Sequence, residues 1–245
     1  MLLPLVVLAI ASSPIISAEE ATCKHLTDGP KLEFADAIGA KHNVAAGGRL
    51  ELACTVLAAP TASIVWLHDG KEVQMNEGPQ DYLLSSSKRL GISMLESRLV
   101  RECASAEDAG TYTCVAMSPC AKGIQQSAVV RVQGKASSSC SSSSAAPYIA
   151  LHTYSRMELP TVPVQLVCRS SNEFEGVHWE RVADDDSTTP LSLADVGFLQ
   201  LASGDLIIDP QALSAADGEE IVSVTMRCHV GDTYIDSSVI FMEDE

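Results

Sequence analysis

Apolar and polar positions alternate along two separate stretches of the chain, and the alternation has a period of two. From Gly48 to Cys54 the apolar positions are Leu50, Leu52 and Cys54, the pattern of a strand with one buried face. Ile64-Val65-Trp66-Leu67 is a short apolar run that stops before Asp69-Gly70, a pair suited to a hairpin turn. Asp108-Ala-Gly-Thr-Tyr112-Thr-Cys114 places Tyr112 and Cys114 on one face of another strand, and Ser127–Val132 supplies a closing strand. The pattern then returns. Val164, Leu166 and Cys168 alternate, Val177-His178-Trp179 follows, and Ser203-Gly204-Asp205 turns into Leu206-Ile207-Ile208.

The cysteines and tryptophans put these strands in register with each other. Cys54 is followed by Trp66 after 12 residues and by Cys114 after 60. Cys168 is followed by Trp179 after 11 and by Cys228 after 60. A cysteine on strand B, a tryptophan on strand C and a cysteine on strand F are the mark of an immunoglobulin sandwich, with the indole packed on the bridge between the facing sheets. The expected fold is all-β: two tandem immunoglobulin-like sandwiches of the I-set type, joined by a short Ser-rich linker. The boundaries read as a signal peptide at 1–18, domain one at 19–135, the linker at 136–147 and domain two at 148–245. In domain one, Tyr112 stands two residues before Cys114, where a tyrosine corner fastens the E–F turn, and Asp108 opens that motif. In domain two, Met226 occupies the corner position and Asp217-Gly218 lies ten or eleven residues before Cys228. A longer E–F connection and a less stable second domain follow.

Leu2–Ile10 is apolar apart from Pro4, and Ser17 and Ala18 offer a cleavage site before Glu19. This reads as a cleaved secretory leader. No later stretch has 18 consecutive apolar residues, and Phe241-Met-Glu-Asp-Glu245 is not a lipid-anchor tail. The mature chain is therefore expected to be soluble and extracellular. Ser137-Ser-Ser-Cys140-Ser-Ser-Ser-Ser144 has the composition of a flexible linker that could carry O-linked sugars.

Eight cysteines suit an oxidising compartment. Beyond the two core bridges, Cys23, Cys103, Cys120 and Cys140 allow three pairings. Strands E and G end at the same pole of a sandwich, which favours Cys103 with Cys140. The F–G loop and the start of strand A share the other pole, which favours Cys23 with Cys120. The alternative is a free or intermolecular Cys140. No C-x-x-C pair points to a metal.

Composition adds one asymmetry. The formal net charge is −16, an unsuitable surface for nucleic acid or anionic membranes. Residues 19–135 hold 14 acidic and 12 basic side chains, whereas residues 136–245 hold 18 and 4. Domain two thus carries nearly all of the charge, including Asp184-Asp185-Asp186. That run is a solvated face or an acidic patch for a basic protein partner, and it lacks the spacing of an EF-hand calcium loop. None of the six histidines forms H-E-x-x-H, and there is no G-x-S-x-G elbow or phosphate-binding glycine loop. His178 and His229 should point outward side by side on strands C and F. No enzyme activity, cofactor or metal is expected.

Arg98-Leu-Val-Arg-Glu-Cys103, Glu107-Asp-Ala-Gly-Thr-Tyr-Thr-Cys114, Leu201-Ala-Ser-Gly-Asp-Leu-Ile-Ile208 and Asp236-Ser-Ser-Val-Ile-Phe241 together resemble the secreted two-immunoglobulin proteins of nematodes, the zig family. The chain is also similar to the insect ecdysone-inducible late imaginal-morphogenesis protein. It departs from the family in lacking Trp-x-Asp-Met-Gly-x-Tyr before its last cysteine. The resemblance implies a secreted, non-enzymatic binding protein of the nervous system that maintains axon or cell position through neuronal surface receptors. The insect relative implies an alternative, a carrier or antagonist of insulin-like peptides. A third reading is a disulfide-linked adhesion or matrix component that homodimerises through a sheet edge or Cys140. On any of these readings Cys54→Ala or Cys114→Ala should abolish secretion from cultured cells, because losing such a bridge costs about 2–5 kcal/mol. Normal secretion of either variant would show that the bridge is dispensable.

Overall fold

Alternation in the first half produces two sheets that trap Trp66 between them. A computed structural model describes residues 23–80, 88–134, 146–172, 176–192 and 194–243. The leader, Cys140 and nearly all of the Ser-rich linker lie outside these residues. In the first sandwich β1 (Lys31–Phe34), β3 (Leu50–Ala59) and β6 (Ile92–Arg101) form one layer. The other layer has the order β2-β8-β7-β4-β5, from β2 (Lys41–Ala45), β4 (Ser63–His68), β5 (Lys71–Asn76), β7 (Gly110–Ser118) and β8 (Ala121–Gln133). Leu50, Leu52, Cys54, Leu95, Leu99, Trp66 and Cys114 meet in the core. The indole N–H of Trp66 donates to Ser97 Oγ at 2.9 Å, so the one polar atom of the core aromatic is satisfied.

The turn before β7 is fixed by polar contacts. Asp108 Oδ2 accepts from Ser105 N (2.8 Å) and Ser105 Oγ (3.0 Å) around a single 3-10 turn. Tyr112 is buried, and its ring stacks on His68 at 4.3 Å. Gly110 is required here: its φ is +151°, and a Cβ would sit 2.6 Å from the Asp69 carboxylate.

The second sandwich is built from β9 (Ile149–Glu158), β10 (Val164–Leu166), β11 (Cys168–Ser170), β12 (Val177–Val182), β13 (Thr188–Pro190), β14 (Phe198–Gln200), β15 (Leu206–Ile208), β16 (Ser223–Val230) and β17 (Thr233–Phe241). Its long E–F connection is a helix, α1 (Pro210–Asp217). Asp209 caps it by accepting from Gln211 N and Ala212 N, Pro210 starts it, and Gly218 ends it at φ 74°. Leu213 of α1 and Met226 of β16 are buried in the domain-two core. Trp179 Nε1 donates to Gly204 O at 2.7 Å. Asp205, also buried, holds the Arg169 guanidinium through both carboxylate oxygens and accepts from Gln165 Nε2.

A Ser-rich linker by itself would allow two independent domains, but β9 joins them. It pairs antiparallel with β6 of the first sandwich, from Ile92↔Met157 to Ser97↔Leu151. Its second half also pairs in parallel with β17, while its first half pairs with β11. One sheet therefore crosses both domains in the order β1-β3-β6-β9-β17-β16-β12-β13. At the junction Glu158 is completely buried. Its carboxylate accepts from the Arg89 guanidinium (2.8 Å) and from the backbone N–H groups of Leu90 (2.7 Å), Gly91 (3.2 Å) and Leu159 (3.1 Å). Arg156 stands 3.7 Å away.

His152 lies on β9 between Glu96 of β6 on one side and Cys168 of β11 on the other. Its side chain is fully buried, and neither ring nitrogen has a hydrogen-bond partner. Burial, and then the nearby Arg98 charge, push its pKa down to about 3. In the unfolded chain histidine titrates near about 6.5. The folded state excludes a proton that the unfolded state binds, so this contribution is complete above about pH 6.5 and is lost as pH falls toward 3. The slope is about 1.4 kcal/mol per pH unit. Urea unfolding at pH 7 and pH 5 should show a wild-type loss that His152→Gln largely removes. Equal losses in both proteins would show that His152 does not set the acid sensitivity.

Candidate protein-binding surface

The outward face of the shared sheet is continuous across the domain junction. In one row the paired positions are Ser238, Ser155, Met94 and Leu57, on β17, β9, β6 and β3. In the next they are Ile240, Met157 and Ile92; Ala59, which the Ser93↔Ala58 register places beside Ile92, is completely buried. Strand alternation fixes these directions, because the intervening Val239, Phe241 and Leu95 are buried in the cores. Ile240 is 45% exposed and Met242, which shares its face, 42%. Tyr154, the extra residue of the β9 bulge, and Tyr234 are more than half exposed. An apolar stripe thus runs over four strands and both domains.

Charges border the stripe in closed pairs. Arg227 makes two hydrogen bonds to Asp236 (2.7 and 2.9 Å), and its guanidinium lies 4.4 Å from the Tyr234 ring centroid. The Asp236 hydrogen bond raises the Arg227 pKa, so this cation is permanent. Glu180 is held below its ordinary pKa by hydrogen bonds from Thr188 and then His229, whose Nε2 lies 3.1 Å away. Arg98 Nε donates to Glu96 at 2.6 Å. An apolar centre inside a rim of satisfied polar groups is the anatomy of a protein–protein interface.

The sequence-derived residues fall in four places: the cores, the β7–β8 turn, the β12/β16 face and the β12–β13 turn. Cys54–Cys114 and Cys168–Cys228 are bridged inside the two sandwiches, each with Cα atoms 6.5 Å apart. Cys23–Cys120 is bridged at the β7–β8 turn with Cα atoms 5.5 Å apart. Cys103 is also in a disulfide, and Cys140 lies outside the described residues. His178 and His229 are paired on β12 and β16 and face outward. Asp184, Asp185 and Asp186 form the β12–β13 turn. Asp185 Oδ1 accepts from Ser187 Oγ (2.6 Å) and Ser187 N (3.1 Å), which lowers its pKa. Asp184 and Asp186 join Asp236 and Arg181 around an open cavity of about 520 Å³ beside the sheet face. Among the described residues no group of three His, Cys, Asp or Glu is arranged to hold a metal. The apolar stripe itself escaped sequence reasoning. Its residues come from strands far apart in the chain, and each looks like an isolated surface methionine or isoleucine.

Comparison with known proteins places these features in a family. The immunoglobulin-domain family profile matches residues 38–118. The zwei Ig domain protein zig-4 of Caenorhabditis elegans is 30% identical over 200 residues, covering 80% of this chain and 76% of that protein. The zwei Ig domain protein zig-3 of the same organism is 27% identical over 216 residues, covering 83% of each. Among solved structures, that of neural ectodermal development factor IMP-L2 superposes with a TM-score of 0.61 at 19% identity. The match covers 89% of this chain and 97% of that one, a likeness of fold. Among the described residues no helix is long and apolar enough to cross a membrane. Two sandwiches, their bridges and this degree of identity along most of the chain make the protein a member of the zwei Ig domain (zig) family.

Proposed function

We propose that this protein is a secreted, non-enzymatic binding molecule of the nervous system that keeps axons or cells in position. It would dock an extracellular protein, such as a neuronal surface receptor, on the shared sheet face. The observation that carries the reading is the apolar stripe of Ile240, Met157, Ile92 and Met94, which crosses two domains held in one sheet. A rigid platform loses little conformational entropy when a partner binds. In an animal lacking the protein, axon positions should drift in adult life, and the wild-type chain should restore them. A Met157→Arg, Ile240→Arg chain that is secreted normally should fail to restore them. Normal axon positions in the null animal would sink this reading.

The second reading is a soluble carrier or antagonist of insulin-like peptides. It is supported by the excess of acidic residues in domain two, with Asp184, Asp186 and Asp236 beside the same face, and by the resemblance to the insect protein. Calorimetry of the protein with a panel of insulin-like peptides should then give submicromolar binding that weakens as salt rises. No heat of binding at either low or high salt would remove the carrier role.

A further inference from the structure

The first sandwich has a second free face, on the opposite side from the shared-sheet face. It is the outer surface of the five-stranded sheet. Val73, Met75, Met117 and Val129 all point from it, and they are the exposed large apolar side chains of domain one among the described residues. Register places Met75, Val65 and Val115 side by side across β5, β4 and β7. Val65 at the centre is only 6% exposed, whereas Met75 is 52% exposed. The outward positions of β4 and β7 are Ser63, Val65, Leu67, Thr111, Thr113, Val115 and Met117, with no charge among them.

Charges appear only toward the flanks, and their signs are opposite. Glu72, paired with Leu67, faces outward on the β5 flank. Lys41, paired with Val129, and Arg131, paired with Asn43, face outward on the β2 flank. A two-fold axis along the strands through the middle of this sheet exchanges the flanks. It sets Glu72 of one copy nearest Lys41 of the other, about two residues along the strand and within reach of both side chains, with Arg131 two residues further along and one strand inward. The same axis keeps the strands of the two copies aligned, the common mode of sheet-on-sheet packing. Because domain two continues the fold sideways from β6, the axis also sends the two strongly acidic second domains to opposite ends.

We propose that this face is the docking site for a second copy of the chain, forming an isologous, non-covalent dimer. Five strands spaced about 4.8 Å apart give a footprint of roughly 500 Å² per copy. The total of about 1,000 Å² is at the lower end of specific interfaces, so the dimer is reversible. The shared-sheet face stays open in the dimer, and the proposal is independent of the partner bound there.

Sedimentation velocity of the mature chain over a concentration series tests it. A monomer–dimer equilibrium is expected, with a single monomer band on a non-reducing gel. Glu72→Lys should weaken the dimer about tenfold or more by opposing like charges, and Met75→Glu should do the same by charging the apolar centre. Adding Lys41→Glu and Arg131→Glu to Glu72→Lys should restore association to within about threefold of wild type. Leu199→Glu, on a domain-two surface, should change nothing. The proposal is overturned by a chain that stays monomeric at hundreds of micromolar. It is equally overturned by a dimer indifferent to Glu72→Lys and Met75→Glu, or by a face that captures a different protein while the chain remains a monomer.

Discussion

Glu158 is the point on which the two-domain arrangement depends. A carboxylate with no solvent exposure is tolerable only when its oxygens are fully engaged, and here the groups that engage it come from both sandwiches. Arg89, Leu90 and Gly91 approach from the first, and Leu159 and Arg156 from the second. Removing one member while the junction stays closed, as in Arg89→Ala, would leave an uncompensated buried charge, a cost of about 3–5 kcal/mol. The ladder between β6 and β9 and this cluster are adjacent along the same strand, so they form or fail together. The junction is accordingly part of the fold, and domain two is a continuation of the first sheet.

That continuity sets the width of the candidate binding face. Two separate sandwiches would each offer a face only a few strands wide. Joined edge to edge, they offer a surface on which Ile240 of domain two and Ile92 of domain one stand in one row, with Met157 between them. Beside it Arg227 and Asp236 neutralise each other, and the Glu180 carboxylate is hydrogen-bonded to His229. The net charge of domain two therefore acts at longer range, through the turn at Asp184–Asp186 and the open acid residues beyond it. The far side of domain one, with Glu72 on one flank and Lys41 and Arg131 on the other, keeps both signs within one sheet.

The sandwiches were legible in the sequence because their cores obey a simple rule. One face of each strand is apolar, and Cys54, Trp66, Cys114, Cys168, Trp179 and Cys228 pin the register. The helix α1 was half legible. Asp209-Pro210 and Gly218 are a capping residue, a first-turn proline and a C-terminal glycine, yet in an immunoglobulin frame they read only as a missing E–F motif. The strand β9 was not legible. Ile149-Ala-Leu-His-Thr-Tyr-Ser-Arg-Met-Glu158 has neither period, because it is covered on both faces over its first half and changes partners midway. His152, Arg156 and Glu158 look like a solvated edge until the other domain is placed against them. Asp184–Asp186 stood out by composition, but the structure gives much of that run a local task, closing a hairpin through Ser187.

The double pairing of β9 also has a consequence for biosynthesis. A ribosome delivers domain one first, and every strand of that sandwich precedes residue 134. Its β6 edge nevertheless stays bare until residues 149–158 have been translated. For that interval the nascent chain presents an unpaired ladder of the kind that recruits foreign strands. The Ser-rich segment between the domains is then a timer as much as a tether, since its length sets how soon β9 arrives to seal the edge. Maturation of the first domain is completed by the second, and a chain truncated after the linker would leave the cell's folding machinery with an open sheet.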